Sequence, residues 1–321
     1  MRRSPALWAG ATVPWCRLGT KVSVHMPRTL VVGASGFIGQ RLWRGLPEQD
    51  RVGTFCARAM PGLERLDLRD GRQTAELVRR VAPAVIVQPA ALPNVDWCED
   101  HRDECWAVNV DGTANLAGAA REVGAKLVYF SSDYVFDGQD GPYAEDDPPR
   151  PISVYGEAKL AAERLIQERL TNYLIVRVTV VYGWEQQGKN FVMGVIRRLG
   201  QRETMRVPVD QIGSPTYADN LVEVLRALIG ADQRGLFHIA GPERMDRFTF
   251  AGVAADVFGL DRSLLIPVTT AELGQRAARP LRAGLRIDKV RAAVTPPLVV
   301  PAEGLRRMRD HGDTGAGEMR S

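Results

Sequence analysis

The segment Thr29-Leu-Val-Val-Gly33-Ala-Ser35-Gly36-Phe37-Ile38-Gly39 constrains this chain more than any other. A short apolar strand runs directly into three glycines at G-x-x-G-x-x-G spacing, which open a helical stretch over 37–46. Glycines at such a turn let the backbone reverse sharply and approach a pyrophosphate. The helix that follows presents free N–H groups and the positive end of its dipole. A glycine triplet alone also occurs in strand–helix turns without a ligand, so its weight comes from what lies downstream. Further apolar strand candidates fall at 52–56, 84–87, 126–130 and 174–178, separated by helical windows near 73–81, 103–123 and 156–170. Continuous apolar strands alternating with helices predict a parallel sheet covered on both faces.

After residue 180 the alternation weakens. Helical windows near 190–200, 217–230 and 247–258 are joined by loops such as Gly213-Ser-Pro215 and Gly241-Pro242. The reading is an α/β chain, a doubly wound parallel sheet with a small mixed C-terminal substrate lobe. A dinucleotide-binding domain spans 26–178 and is completed by about 214–240; the lobe comprises 179–213 and 241–308. Residues 1–25 read as a disordered extension, with Met26 an alternative start, and 309–321 as a flexible tail.

Charge and composition remove several function classes. The net charge of +4 arises from 42 Lys+Arg against 38 Asp+Glu, and Arg2, Arg3, Arg17 and Lys21 alone account for it. The remainder is neutral, which argues against a nucleic-acid surface. No apolar run reaches the length of a transmembrane helix. Cys16, Cys56, Cys98 and Cys105 lack C-x-x-C spacing and read as free thiols of a cytoplasmic protein. His25, His101, His238 and His311 show no zinc-ligand spacing, and no metal is expected.

The second strand ends in Cys56-Ala-Arg58, with no acid placed to hold a free ribose 2′-hydroxyl. Arg58 would suit a 2′-phosphate, favouring NADPH with NADH also admissible; the bland reading is a solvated loop charge. Further on, Val128-Tyr-Phe-Ser131-Ser132-Asp133 ends a strand, and Tyr155-Gly-Glu-Ala-Lys159 follows on a helix. Tyr and Lys four apart share a helix face. An ammonium there can lower a phenol pKa and hold a ribose, while a strand-end hydroxyl polarises a carbonyl. Any Y-x-x-x-K can arise by chance; its order after a glycine turn and a Ser-rich strand end makes the combination specific.

Taken together, Gly33–Gly39 and Ser132/Tyr155/Lys159 resemble the extended short-chain dehydrogenase/reductases over about residues 28–305. The resemblance implies a Rossmann-type sheet. It also implies cofactor contacts from Gly33, Ser35, Gly36, Phe37, Ile38 and Gly39, and from Asp67-Leu68 at the adenine. Ala90-Ala91-Leu92 would lie at a small-residue strand end beside the cofactor, joined by Asn109 in Val-Asn109-Val-Asp-Gly-Thr. Within that family, Ser131-Ser-Asp-Tyr-Val-Phe-Asp-Gly138, Asp210-Gln-Ile-Gly-Ser-Pro-Thr216 and Gly235-Leu-Phe-His-Ile-Ala240 look like the dTDP-4-dehydrorhamnose reductase branch. This implies reduction of a 4-keto-6-deoxy sugar nucleotide, with Tyr155 as proton donor, Ser132 polarising the carbonyl, and Lys159 binding ribose and tuning Tyr155. Substrate contacts are implied for Asp133, Val135, Asn190, Phe191, Asp210, Gln211 and Arg282. Lys189, Arg197, Arg198, Arg206 and Arg279 are weaker candidates, each with a surface alternative. A homodimer is left open.

Three comparisons bear on the branch. Sugar-nucleotide dehydratases carry an acidic pair after the strand-end hydroxyl, whereas this chain has Ser132-Asp133-Tyr134. C4 epimerases have a larger substrate lobe. The reductases often place an aromatic residue where this chain has Val180, which puts the exact substrate in doubt. Another oxidoreductase of this family, or a sugar-nucleotide epimerase, acting on a different carbonyl substrate is therefore an alternative. The regulatory β subunits of methionine adenosyltransferase look like the same branch, so a non-catalytic binding role is the other.

Overall fold

The structure, a computed structural model, describes residues 27–312; the readings of residues 1–25 and of the last tail residues lie outside the described residues. The first half alternates β1 (Thr29–Val31), α1 (Phe37–Arg44), β2 (Arg51–Phe55), β3 (Glu64–Arg65), α2 (Gly71–Val81) and β4 (Val85–Gln88). It continues through α3 (Val95–Asp100), α4 (Arg102–Trp106), α5 (Gly112–Val123), β5 (Lys126–Ser132), α6 (Val154–Arg169) and β6 (Tyr173–Val178). The second half contains β7 (Val181–Tyr182), α7 (Phe191–Gly200), β8 (Met205–Pro208), β9 (Ile212–Gly213), β10 (Thr216–Tyr217), α8 (Ala218–Gly230) and β11 (Gly235–His238). It closes with β12 (Met245–Asp246), α9 (Arg247–Phe258), β13 (Leu265–Val268), α10 (Thr270–Leu273), α11 (Asp288–Ala293) and α12 (Pro301–His311).

Seven strands form one parallel sheet in the order β11-β6-β5-β4-β1-β2-β3. Strand order reverses between β1 and β4, and a doubly wound sheet opens a crevice at the carboxyl ends of strands flanking such a reversal. The strands are apolar because both faces are covered. Val31, Val87, Val128 and Val176 point to one core layer with α8; Leu30, Ile86, Leu127 and Ile175 point to the other with α2, α5 and α6. A third cluster, built from α7, α9 and α12 around Tyr182 and Phe250, forms the lobe beside the sheet. Residues 309–311, expected in the tail, are helical, since α12 runs to His311.

The helical window 103–123 is helical throughout but not regular. α4 ends at Trp106, a π-helical turn covers Ala107–Asp111, and α5 begins at Gly112. Such insertions are frequent at functional sites. Here the turn carries Asn109, which accepts from the Leu92 N–H at 2.9 Å and donates to the Leu92 carbonyl at 3.2 Å. The loop after β4 is thereby clamped.

A buried ion pair fixes α6 to the sheet. Arg177 on β6 grips Glu163 on α6 through Nε–Oε1 at 2.9 Å and Nη2–Oε2 at 2.7 Å, and both side chains are almost fully buried. His238 lies beside it, Nε2 3.4 Å from Arg177 Nη1, and burial with the neighbouring guanidinium pushes its pKa down to about 3. His238 is therefore a neutral core residue. Glu163→Gln leaves the guanidinium charged, buried and unpaired, so it should destabilise the fold by about 3–5 kcal/mol. Urea denaturation measures this; an unchanged midpoint would contradict the role given to the pair.

Candidate active site

At the β1–α1 turn, Gly33 has φ of +90°, and a Cβ there would lie 2.8 Å from the Ala90 Cβ. A Cβ on Gly39 would run into the Gly33 carbonyl oxygen. The turn is therefore closed to side chains on both sides. Gly36 caps α1 without a side-chain hydrogen bond, which leaves the first N–H groups of the helix for an external acceptor. These features suit the phosphates of a dinucleotide, and Ala90 brings the end of β4 against the same turn.

Arg58 lies over this turn. Its guanidinium donates to the Ser35 carbonyl oxygen and, at 3.0 Å, to Gln186 Oε1, while its buried Nε has no partner. A cation held at the rim of the glycine turn with spare donor capacity suits an extra phosphate. Asp67 is engaged by Arg69 at 2.6 Å, and that hydrogen bond lowers its pKa; the buried Leu68 backs against Gly112. Ala91 is partly exposed on the loop that Asn109 clamps through Leu92. Asn109 itself is buried and holds loop backbone.

The second group assembles at the carboxyl end of β5. Ser132 is its last residue, and its hydroxyl donates to Asp133 Oδ1 at 3.1 Å. Asp133 is buried, accepts from Thr179 Oγ1 at 2.5 Å, and its pKa is raised by that burial. Ser153 caps α6 through the Gly156 N–H at 3.3 Å, placing Tyr155 in the first turn and Lys159 one turn on. Lys159 Nζ donates to the Phe130 carbonyl of β5 at 2.9 Å and sits 5.8 Å from the Tyr155 ring centre. Tyr155 packs edge-on to Tyr134 with centroids 5.6 Å apart. The Tyr155 hydroxyl has the Ser132 hydroxyl as a hydrogen-bond neighbour.

The electrostatics differ from the sequence expectation in one respect. Burial, with Asp133 and Tyr134 nearby, pushes the Tyr155 phenol well above its ordinary pKa, and the Ser132 hydroxyl only partly opposes this. Lys159 is not among the main influences on it; the ammonium donates to the Phe130 carbonyl and is itself brought down to about 8 by burial. A phenol so placed keeps its proton, as a donor must.

Other expected residues have distinct placements. Val135 has no exposed surface and belongs to the core layer under the site, so it touches no ligand in this structure. Asn190 caps α7 and donates to the Gly183 carbonyl at 2.8 Å; Phe191 stacks on Phe250. Asp210 is taken up by Thr270, whose N–H and hydroxyl lie 2.9 and 2.6 Å from Oδ1. Gln211 donates to Gln275 at 2.7 Å and lines the cleft. Arg282 is exposed, on a strap that hydrogen-bonds back to Gly138. Lys189, Arg197, Arg198 and Arg206 are also exposed. Arg279 is not a surface charge: it is buried and paired with Asp96 at 2.7 Å.

The sequence reading missed Thr179, Tyr134 and Arg247, which line or support this cleft with Asp133, Val180 and Arg279. Thr179 adjoins Val180, which adopts φ of +45°, a strained conformation for a β-branched residue. No local signal predicts that bend. Among the described residues, no group of three or more His, Cys, Asp or Glu side chains could hold a metal, and no helix is long and apolar enough to cross a membrane.

The description that matches the chain is the RmlD substrate binding domain, over residues 27–312. The chain belongs to that family. It is 38% identical over 280 residues to dTDP-4-dehydrorhamnose reductase of Streptomyces griseus, covering 85% of this chain and 90% of the relative. It is 32% identical over 285 residues to methionine adenosyltransferase 2 subunit beta of Bos taurus, covering 86% and 85% of the two chains. The crystal structure of dTDP-4-dehydrorhamnose reductase from Bacillus anthracis in complex with NADP superposes with a TM-score of 0.82 at 32% identity, covering 89% of this chain and all of that one.

The Lys159 environment yields a test independent of activity. Its ammonium is charged below about pH 8 and neutral above. NMR titration of side-chain-labelled lysine should show one midpoint near 8 that disappears in Lys159→Met. Midpoints all at the ordinary lysine value would contradict the burial described.

Proposed function

We propose that this protein is an NADPH-dependent reductase acting on the 4-keto group of a deoxysugar nucleotide. The observation that carries the reading is the meeting of Ser132, Tyr155 and Lys159 at the end of β5 with the side-chain-free glycine turn at the strand-order reversal. The Streptomyces griseus and Bacillus anthracis relatives support the substrate class and the nicotinamide cofactor. NADPH, when bound, supplies the hydride. Arg58 and the turn at Gly33–Gly39 would hold its phosphates, with NADH admissible at the same turn, and Lys159 would hold the ribose beside Tyr155.

The chain's own groups do the rest. Tyr155, its proton retained by burial, protonates the developing C4 oxyanion. Ser132 turns its hydroxyl from Asp133 toward the same oxygen and polarises the carbonyl. Thr179 keeps the Asp133 carboxyl occupied, which fixes the Ser132 position. The sheet half serves as the nucleotide domain and the α7/α9/α12 lobe as the substrate side, in the cytoplasm.

A second reading is favoured by the methionine adenosyltransferase β-subunit relatives, in which the same scaffold would serve partner binding. Purified protein should oxidise NADPH with dTDP-4-dehydrorhamnose and not with dTDP-glucose. Tyr155→Phe should lower kcat by about 100-fold or more while leaving NADPH affinity nearly unchanged. NADPH binding without ketone-dependent oxidation would sink the reductase reading in favour of the regulatory one.

A further inference from the structure

Arg247 opens α9 and extends into the cleft that holds Asp133, Tyr134 and Arg279. Its guanidinium lies 5.1 Å over the Phe191 ring, and among the described residues it donates to no carboxylate, carbonyl or hydroxyl. That sets it apart from its neighbours. Arg279 pairs with Asp96, Arg244 donates to the carbonyls of Ala283 and Arg282, and Arg177 grips Glu163. The acids near Arg247 are already engaged: Asp133 by Ser132 and Thr179, and Asp246 by the Thr249 N–H and hydroxyl at 2.8 and 2.6 Å. Arg279 adds a second, repelling cation to the same wall of the cleft.

A partly desolvated guanidinium carries five donors, and leaving them unmatched is costly unless a ligand takes them up. A planar fork held over an aromatic ring suits two oxygens of a phosphoryl group. The position fits as well. Tyr134, which lines the cleft with Arg247, packs directly on Tyr155. C1 and C4 lie at opposite ends of a hexose ring, so a C4 carbonyl at Tyr155 sends the C1 substituent across the cleft.

We propose that Arg247 is the specificity-determining anchor for the phosphoryl groups on C1 of the substrate, which rests on the sugar-nucleotide reading above. Phe191 is its backing plate. The exposed Arg197, Arg198 and Arg206 are then not the phosphate ligands.

The test is titration calorimetry with dTDP as the probe, alongside kinetics with dTDP-4-dehydrorhamnose. Arg247→Gln should weaken dTDP by about 10- to 100-fold and raise KM by a similar factor, with a smaller change in kcat. NADPH affinity should stay at the wild-type value. Arg247→Lys, which keeps the charge and the stem but loses the fork, should fall between the two and serves if the Gln variant does not fold. Wild-type affinity for dTDP in both variants, or in the Lys variant alone where only it folds, overturns the anchor. Wild-type protein that binds dTDP through Arg247 but does not reduce the ketone refutes the reductase reading and leaves the anchor standing. A wild-type reductase whose KM does not change in the variants refutes the anchor alone. Wild-type protein that neither binds dTDP nor reduces the ketone overturns both.

Discussion

The docking of α6 onto the sheet is the constraint on which the rest of the site depends. Two contacts set it: the bidentate Arg177–Glu163 pair in the core, and the Lys159 ammonium on the Phe130 carbonyl. The first fixes the helix along its length. The second fixes the turn that carries Tyr155 against the end of β5. A buried ion pair is weak evidence for net stability, since two apolar residues could fill the same volume. What it does supply is registry: α6 has little amphipathic contrast because much of its circumference is buried, so apolar packing alone leaves its rotation poorly specified.

The sheet half was legible because its constraints are local. Five of its strands and their covering helices follow from runs such as Leu30–Val32 and Leu127–Phe130, and the glycine turn falls where strand order reverses. Boundaries moved by a residue or two. The helical window 103–123 holds throughout, but no composition signal marks the π-turn inside it; the position of that turn follows from Asn109 having to reach Leu92. The two-residue strand β3 and the short helices of the lobe carry too few residues to show a period.

The site was legible where one residue type performs one chemistry at fixed spacing, as with Ser132, Tyr155 and Lys159. It was less so where long-range folding decides. The resemblance implied a substrate contact for Val135, yet the short helical turn at Asp133–Val135 rotates it into the core. Arg197 and Arg198 drew attention by charge and lie on a solvated face, while Arg279 and Arg247 reach the cleft from loops and a helix start far along the chain. The bend at Val180 is likewise tertiary: its carbonyl accepts from the Thr216 N–H at 3.1 Å, and its side chain packs where Gly213 leaves room. It takes the position of the aromatic residue expected of the reductases and leaves the cleft wall smaller there.

One scaffold thus joins a glycine turn, a buried phenol and a cationic cleft wall, and its relatives include both a dTDP-4-dehydrorhamnose reductase and a methionine adenosyltransferase 2 subunit beta. On the proposed reading, Tyr155 and Ser132 serve a carbonyl that is reduced between them and the nicotinamide. The direct test is NMR of the sugar nucleotide after incubation with NADPH deuterated at the transferable position. Deuterium at C4 of the product sugar is the expected result. A sugar recovered without label, from protein that binds both nucleotides, would contradict it.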